Sequence, residues 1–163
     1  MCGISGVFGH ADGHSLMRVA ESMVASLVHR GPDDDGVWVD DEAKIAFGHR
    51  RLSVLDLSQE GHQPMLSKDS RYVMVFNGEV YNHQALRKEL EGGGLINWRG
   101  HSDTEVMLEA ISKWGIEQAL PKFTGMFAIA LFDRRERKLH LIRDRMGEKP
   151  LYYGWCAGAF IFG

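Results

Sequence analysis

Short apolar stretches with strand character sit near both ends of the chain, the helical spacings fall mostly between them, and the two kinds do not alternate regularly. A parallel sheet is built from strand–helix–strand units and needs that alternation. Its absence predicts antiparallel sheets with helices packed on them, an α+β fold. Residues 4–8 read as a first strand. Residues 37–39 and 44–48 read as two short strands around an Asp40-Asp41 turn, and residues 72–76 as a buried strand stopped by Asn77-Gly78. Residues 126–132 and 138–142 form a hairpin whose basic turn, Arg134 to Lys138, is a solvated loop, and residues 151–153 and 159–162 are further strands. Ser15 can cap a helix with Leu16, Val19, Ala20, Met23 and Leu27 at helical spacing. A second helix covers residues 82–90, and Ser102-Asp103-Thr104-Glu105 forms a capping box ahead of a third. Residues 116–123 read as a short helix.

Size and charge narrow the function classes. A length of 163 residues suits one domain. A net charge of -3 gives no sign of a nucleic-acid or membrane partner, and the longest apolar run, residues 126–132, is far too short to cross a bilayer. No positive flank followed by an apolar stretch marks a secretory signal. The two cysteines, Cys2 and Cys156, imply no disulfide framework and fit a reducing cytoplasm. The eight histidines lack metal-ligand spacing, so no metal site is expected. The chain stops at Phe162-Gly163 inside an apparent strand, so a fragment of a longer protein with an exposed sheet edge is expected.

The chemistry concentrates at the amino terminus. Methionine aminopeptidases remove a leading methionine when the next residue is small, and Cys2 is small. The processed chain would begin with a thiol and a free α-amine on one residue, a nucleophile beside its own base. On position alone, Cys2 reads rather as a small apolar residue opening a buried strand, the usual role of an unpaired cysteine, and the rest of the sequence has to decide. Asn77-Gly78 taken alone reads as a tight turn, and Asp103 as an acidic residue complementing a helix dipole. Gly3-x-x-Gly6-x-x-Gly9 lacks dinucleotide-loop spacing, the Asp33-Asp34-Asp35 run reads as a solvated turn, and Cys156 reads as structural.

Met1-Cys2-Gly3-Ile4 resembles the start of the class-II glutamine amidotransferase domains, which are N-terminal nucleophile hydrolases. The same family is resembled, in its own order, by His29-Arg30-Gly31-Pro32-Asp33, His49-Arg50-Arg51-Leu52-Ser53-Val54, Asn77-Gly78-Glu79-Val80-Tyr81-Asn82 and Ser102-Asp103-Thr104-Glu105. Gln63-Pro64-Met65 and the run from Arg143 to Tyr153 are most similar to the glutamine-hydrolysing asparagine synthetases. The resemblance covers essentially the whole chain.

It implies a four-layer α-β-β-α sandwich, truncated at its C-terminus, with residues 1–163 as a glutaminase domain lacking its ATP-dependent synthetase domain. Cys2 is carried over as nucleophile. Asn77 and Gly78 are carried over as oxyanion donors and Arg51 as the clamp on the α-carboxylate of L-glutamine. Asp103 takes the α-ammonium, with Glu79 as a second contact, and Leu52 and Val54 contribute backbone groups. Arg50 competes with Arg51 by charge, but alternation along a strand sends neighbours to opposite faces, and the family register selects Arg51. No cofactor is implied for the glutaminase step; ATP and Mg2+ belong to the synthetase domain. The partners implied are glutamine and that synthetase domain, with a homodimer left open. Two other readings stay open: the same domain in a cell-surface polysaccharide amidotransferase, and a catalytically silent regulatory domain.

Overall fold

The fold is that of a computed structural model describing residues 1–9, 15–53 and 58–163. Its elements run β1 (Gly3–Phe8), α1 (Leu16–Ser26), β2 (Asp34–Asp40), β3 (Ile45–Arg51), β4 (Met65–Leu66), β5 (Tyr72–Val80), α2 (His83–Glu91), α3 (Asp103–Trp114), α4 (Ile116–Ala119), β6 (Gly125–Asp133), β7 (Lys138–Arg143), β8 (Tyr153–Cys156) and β9 (Ala159–Phe162). The strands form two antiparallel sheets, ordered β2-β3-β1-β9-β8 and β4-β5-β6-β7. No helix among the described residues is long and apolar enough to cross a membrane.

Period-two alternation sorts each strand into two faces, and three apolar clusters follow from it. Ile4, Ile45, Phe47 and Phe162 of the first sheet meet Val73, Val75, Ala128, Ala130 and Phe132 of the second. The opposite face of the first sheet, Val7 and Ala46, packs on Leu16 and Ala20 of α1. The opposite face of the second sheet, including Met74, Phe76, Ile129 and Leu131, packs on Leu86 and Leu90 of α2 and Val106, Met107 and Ile111 of α3. The layers are therefore α1, sheet, sheet, and the pair α2 and α3, the four-layer α-β-β-α sandwich expected from the family resemblance.

Several local readings change. The strand expected to stop at Asn77-Gly78 continues to Val80, because β6 supplies a partner for every residue from Tyr72 to Val80. Gly78 permits this: a Cβ there would lie 2.1 Å from the Met126 carbonyl oxygen. The loop expected through Gly36 gives way at Asp34, where β2 begins against Arg51. Ser15 makes no side-chain cap to α1. Ser102 does cap α3, accepting from Glu105 N–H at 3.3 Å. The Glu105 carboxylate, however, accepts from the N–H groups of Arg99 (2.8 Å) and Gly100 (3.0 Å) instead of turning back to the cap residue. The last hairpin starts at Tyr153, not residue 151, and turns through Ala157 and Gly158, both at positive φ, a two-residue turn of the I′ kind.

Between β7 and β8 the chain winds around one carboxylate. Asp144 Oδ1 accepts from the N–H groups of Met146 (3.1 Å) and Glu148 (2.9 Å), and Oδ2 from those of Phe127 (3.1 Å) and Lys149 (3.0 Å). Burial alone would raise the Asp144 carboxyl, but these donors, with Gly147, hold it below the usual carboxylate range. Replacing Asp144 by Ala strips an acceptor from four amides, so we expect a loss of about 2–4 kcal/mol in urea denaturation. A loss under ~0.5 kcal/mol, the scale of ordinary surface substitutions, would contradict this account of the loop.

Candidate active site

At one end of the space between the sheets, inward-facing positions change from apolar to polar. The change runs from Ile4 to Cys2 ahead of β1, from Phe47 through His49 to Arg51 on β3, and from Val75 through Asn77 to Glu79 on β5. The result is a cavity of about 170 Å³ lined by Cys2, Arg51, Leu52, Asn77, Gly78, Glu79 and Asp103, together with Met1, Gly61, Gln63, Phe76, Ser102, Thr104, Met126 and Lys149. Seven of the eight residues singled out in the sequence thus surround one space; Val54 lies outside the described residues. Arg50 faces the other way, donating from Nε to the Val24 carbonyl of α1 at 3.2 Å and from Nη1 to Asp35 at 3.1 Å.

The donor geometry follows from where β4 ends. Strand β5 pairs with β6 along its whole length, but β4 covers only Val73 and Met74 on its other edge. Phe127, opposite Gly78, spends its N–H and C=O on Asp144, on the β7 side. Gly78 and Phe127 are therefore a non-hydrogen-bonded pair, and alternate β5 amides at Phe76, Gly78 and Val80 point away from β6. The Phe76 N–H donates to Gln63 Oε1 at 2.7 Å and the Val80 N–H to Asp103 Oδ2 at 2.9 Å. The Gly78 N–H between them points to the same side and carries no hydrogen bond among the described residues. Beside it the Asn77 side chain is 4% exposed.

Cys2 is held by its neighbours on β3. Its Sγ lies 3.4 Å from the Leu52 N–H and 3.7 Å from the Leu52 carbonyl oxygen. The Arg30 guanidinium donates to the Cys2 carbonyl at 3.4 Å. The His29-Arg30-Gly31-Pro32-Asp33 segment is a buttress: Asp33 N–H donates to the Arg51 carbonyl, Asp33 Oδ2 accepts from Ser53 N–H, and a Cβ on Gly31 would sit 2.5 Å from the Arg51 carbonyl carbon. Arg51 Nη1 donates to the Ser58 carbonyl at 2.7 Å, and its guanidinium fills the space a Cβ on Gly61 would occupy, 2.2 Å from Nη2. Asp103 opens α3, with Oδ1 accepting from Thr104 N–H at 2.9 Å. Burial pushes its carboxyl above the usual range, against the pull of the Val80 and Thr104 amides and of His83, while Glu79 adds to the push.

Gln63, His49 and Lys149 join the site without having been singled out for roles in it. Gln63 bridges layers, accepting from Phe76 and donating from Nε2 to Thr104 Oγ1 at 3.3 Å. The His49 ring meets the Phe76 carbonyl through Nε2 at 3.1 Å, which makes Nε2 the protonated nitrogen, and Nδ1 is buried without a partner among the described residues. Alternation on β3 was the available signal for His49, two residues before Arg51. Lys149 is remote in sequence, and only tertiary folding brings it in. No group of three or more His, Cys, Asp or Glu side chains among the described residues is arranged to hold a metal ion.

Comparison with known proteins agrees with this architecture. The glutamine amidotransferase domain family matches the chain over residues 1–163, and the chain belongs to that family. Among curated proteins it is similar to asparagine synthetase [glutamine-hydrolyzing] 1 of Bacillus subtilis (strain 168), 41% identical over 159 residues, covering 94% of this chain and 24% of that protein. Asparagine synthetase B of Escherichia coli (strain K12) is 39% identical over 156 residues, covering 95% and 27%. The chain thus spans about a quarter of the length of these relatives. In fold it is similar to the glutamine phosphoribosylpyrophosphate amidotransferase from B. subtilis, with a TM-score of 0.81 at 22% identity, covering 98% of this chain and 41% of that one.

Burial of His49 pushes its pKa down to about 4 from 6.5, against the hydrogen bond to Phe76. The unfolded chain therefore takes up a proton below about 6.5 that the folded chain refuses until about 4. Stability is fully present above the unfolded value and falls as pH drops from 6.5 towards 4. At ~1.36 kcal/mol per pH unit, the loss reaches about 3 kcal/mol. Urea denaturation at pH 7, 5.5 and 4.5 should show a shallower fall for His49→Gln than for the unsubstituted chain; parallel falls would contradict the assignment.

Proposed function

We propose that this chain hydrolyses the side-chain amide of L-glutamine to glutamate and ammonia, with Cys2 as the nucleophile. One observation carries the reading: a thiol, an unclaimed backbone N–H, a guanidinium and a carboxylate, drawn from four separate segments, surround one cavity of about 170 Å³. Glutamine needs each of them. After removal of Met1, the α-amine of Cys2 takes the thiol proton and Sγ attacks the carboxamide carbon. The oxygen that becomes negative is met by the Gly78 N–H and the Asn77 side-chain amide. Collapse of the tetrahedral intermediate returns the proton to the departing nitrogen, releases ammonia and leaves a glutamyl thioester. Water then cleaves the thioester, giving glutamate and the free thiol.

The substrate's charged ends fix its direction. The planar, permanently charged guanidinium of Arg51 attracts the α-carboxylate, and Asp103, with Glu79, attracts the α-ammonium. Leu52 supplies backbone polar groups beside Sγ. The pull of Asp103 requires its ionised form, so a bound ammonium offsets the burial that favours the neutral acid.

We read residues 1–163 as a single glutaminase domain. In the whole protein, ammonia would pass to a synthetase domain that uses ATP and Mg2+ to convert aspartate to asparagine, a reading supported by similarity to proteins named as glutamine-hydrolysing asparagine synthetases. Two unpaired cysteines, Cys2 and Cys156, support a reducing, cytoplasmic setting.

Purified protein with Cys2 at its amino terminus, checked by intact mass, should release glutamate from glutamine, and Cys2→Ala should release none above background. Equal release by the two would end the proposal. Asn77→Ala should lower kcat by roughly 10²–10³ with a smaller change in KM; an unchanged kcat would remove Asn77 from the oxyanion site.

A further inference from the structure

Lys149 has an ammonium that the mechanism above does not use. The residue is 6% exposed and lines the same cavity as Cys2. Its backbone is fixed first: its N–H donates to Asp144 Oδ2 at 3.0 Å, and its carbonyl accepts from Arg143 Nε at 2.6 Å. The side chain thus enters the cavity from a rigid base. Its hydrogen-bond partner is Met1 Sδ, at 2.9 Å, and it joins none of the ion pairs among the described residues. A thioether is a weak acceptor, and a buried ammonium without an anion is costly.

The other charged groups lining this space are Arg51 from β3, Glu79 from β5 and Asp103 from the start of α3, and Arg30, before β2, donates to the Cys2 carbonyl. Asp103 divides its two oxygens between the Val80 and Thr104 amides. Loss of Met1 takes away the sulfur contact of Lys149 and creates a second amine on Cys2, a residue that lines the same cavity. Two like charges in so small a space disfavour each other. A lysine amine is inherently a stronger base than an α-amine, so of two such neighbours the α-amine is the first to give up its proton.

Resting on the reading that Cys2 leads the processed chain, we propose that Lys149 is a positioning residue whose ammonium keeps the Cys2 α-amine neutral and ready to accept the thiol proton. Arg30, which donates to the Cys2 carbonyl, also brings positive charge to this residue and is left unchanged in the test, which varies Lys149 alone.

With two cysteines in the chain, labelling with 13C-cysteine gives two Cα signals, and Cys156, exposed and away from the cavity, serves as the internal reference. The Cys2 Cα shift, followed against pH in the processed protein, reports the amine directly and does not require turnover. A failure of glutamine hydrolysis is therefore distinguishable from a failure of this proposal. The wild-type amine should titrate below the ordinary α-amine range of ~7.7–8.0. Lys149→Met should raise the midpoint by about one pH unit, with the acid limb of kcat/KM for glutamine moving alongside, and Lys149→Arg should match wild type. A wild-type midpoint within or above the ordinary range overturns the proposal without any variant. So does coincidence of Lys149→Met with wild type, or an equal shift in Lys149→Arg.

Discussion

Strand β5 outruns its neighbour β4, and the site is organised by the backbone groups stranded along that edge. Buried amides without partners cost about 1–3 kcal/mol each, so side chains from other layers are drawn to them. Gln63 and His49 take the two backbone groups of Phe76, and Asp103 takes the Val80 N–H. The amide between them, at Gly78, takes no partner among the described residues. The side chains that complete the sheet are thus the same ones that shape the cavity, which couples the stability of this end of the sandwich to its chemistry.

Glycines allow the close approaches this requires. Gly78 lies against the Met126 backbone, Gly61 makes room for the Arg51 guanidinium, and Gly31 presses on the β3 backbone. In each case a methyl group would displace a residue that lines the cavity or the strand that carries it. A fold similarity at 22% identity to a protein of much greater length indicates that the layered arrangement does not depend on the details of most side chains.

Much of this could be read from the sequence, where local rules decide. Period-two runs located the strands, and Ser102 was recognisable as a helix cap from its spacing to Glu105. Family motifs drew attention to Cys2, Arg51, Asn77, Gly78 and Asp103, which the fold brings together. The errors arise where a distant partner overrides a local preference. Asn77-Gly78 favours a turn in isolation, yet pairing with β6, about fifty positions later, keeps it extended. Glu105 accepts from the amides of Arg99 and Gly100 in the preceding loop, which the spacing to Ser102 did not suggest. Lys149 gave no periodic signal because its place depends on a loop wound around Asp144, and the expectation for Val54 falls outside the described residues.

The strand that follows Cys2 occupies the middle of its sheet, between β3 and β9. Chain termini usually fray; here β1 pairs with β3 from Gly3 to Phe8 and with β9 from Gly6 to Phe8, which ties down the strand that follows Cys2. One partner, β9, is encoded at residues 159–162, so the inner strand cannot be paired on both sides until those residues have been made. Contacts of such long sequence separation form late. Met1 lies ahead of the paired residues and stays exposed with β9 in place, so completing the sheet fixes the strand without burying the residue that leads it.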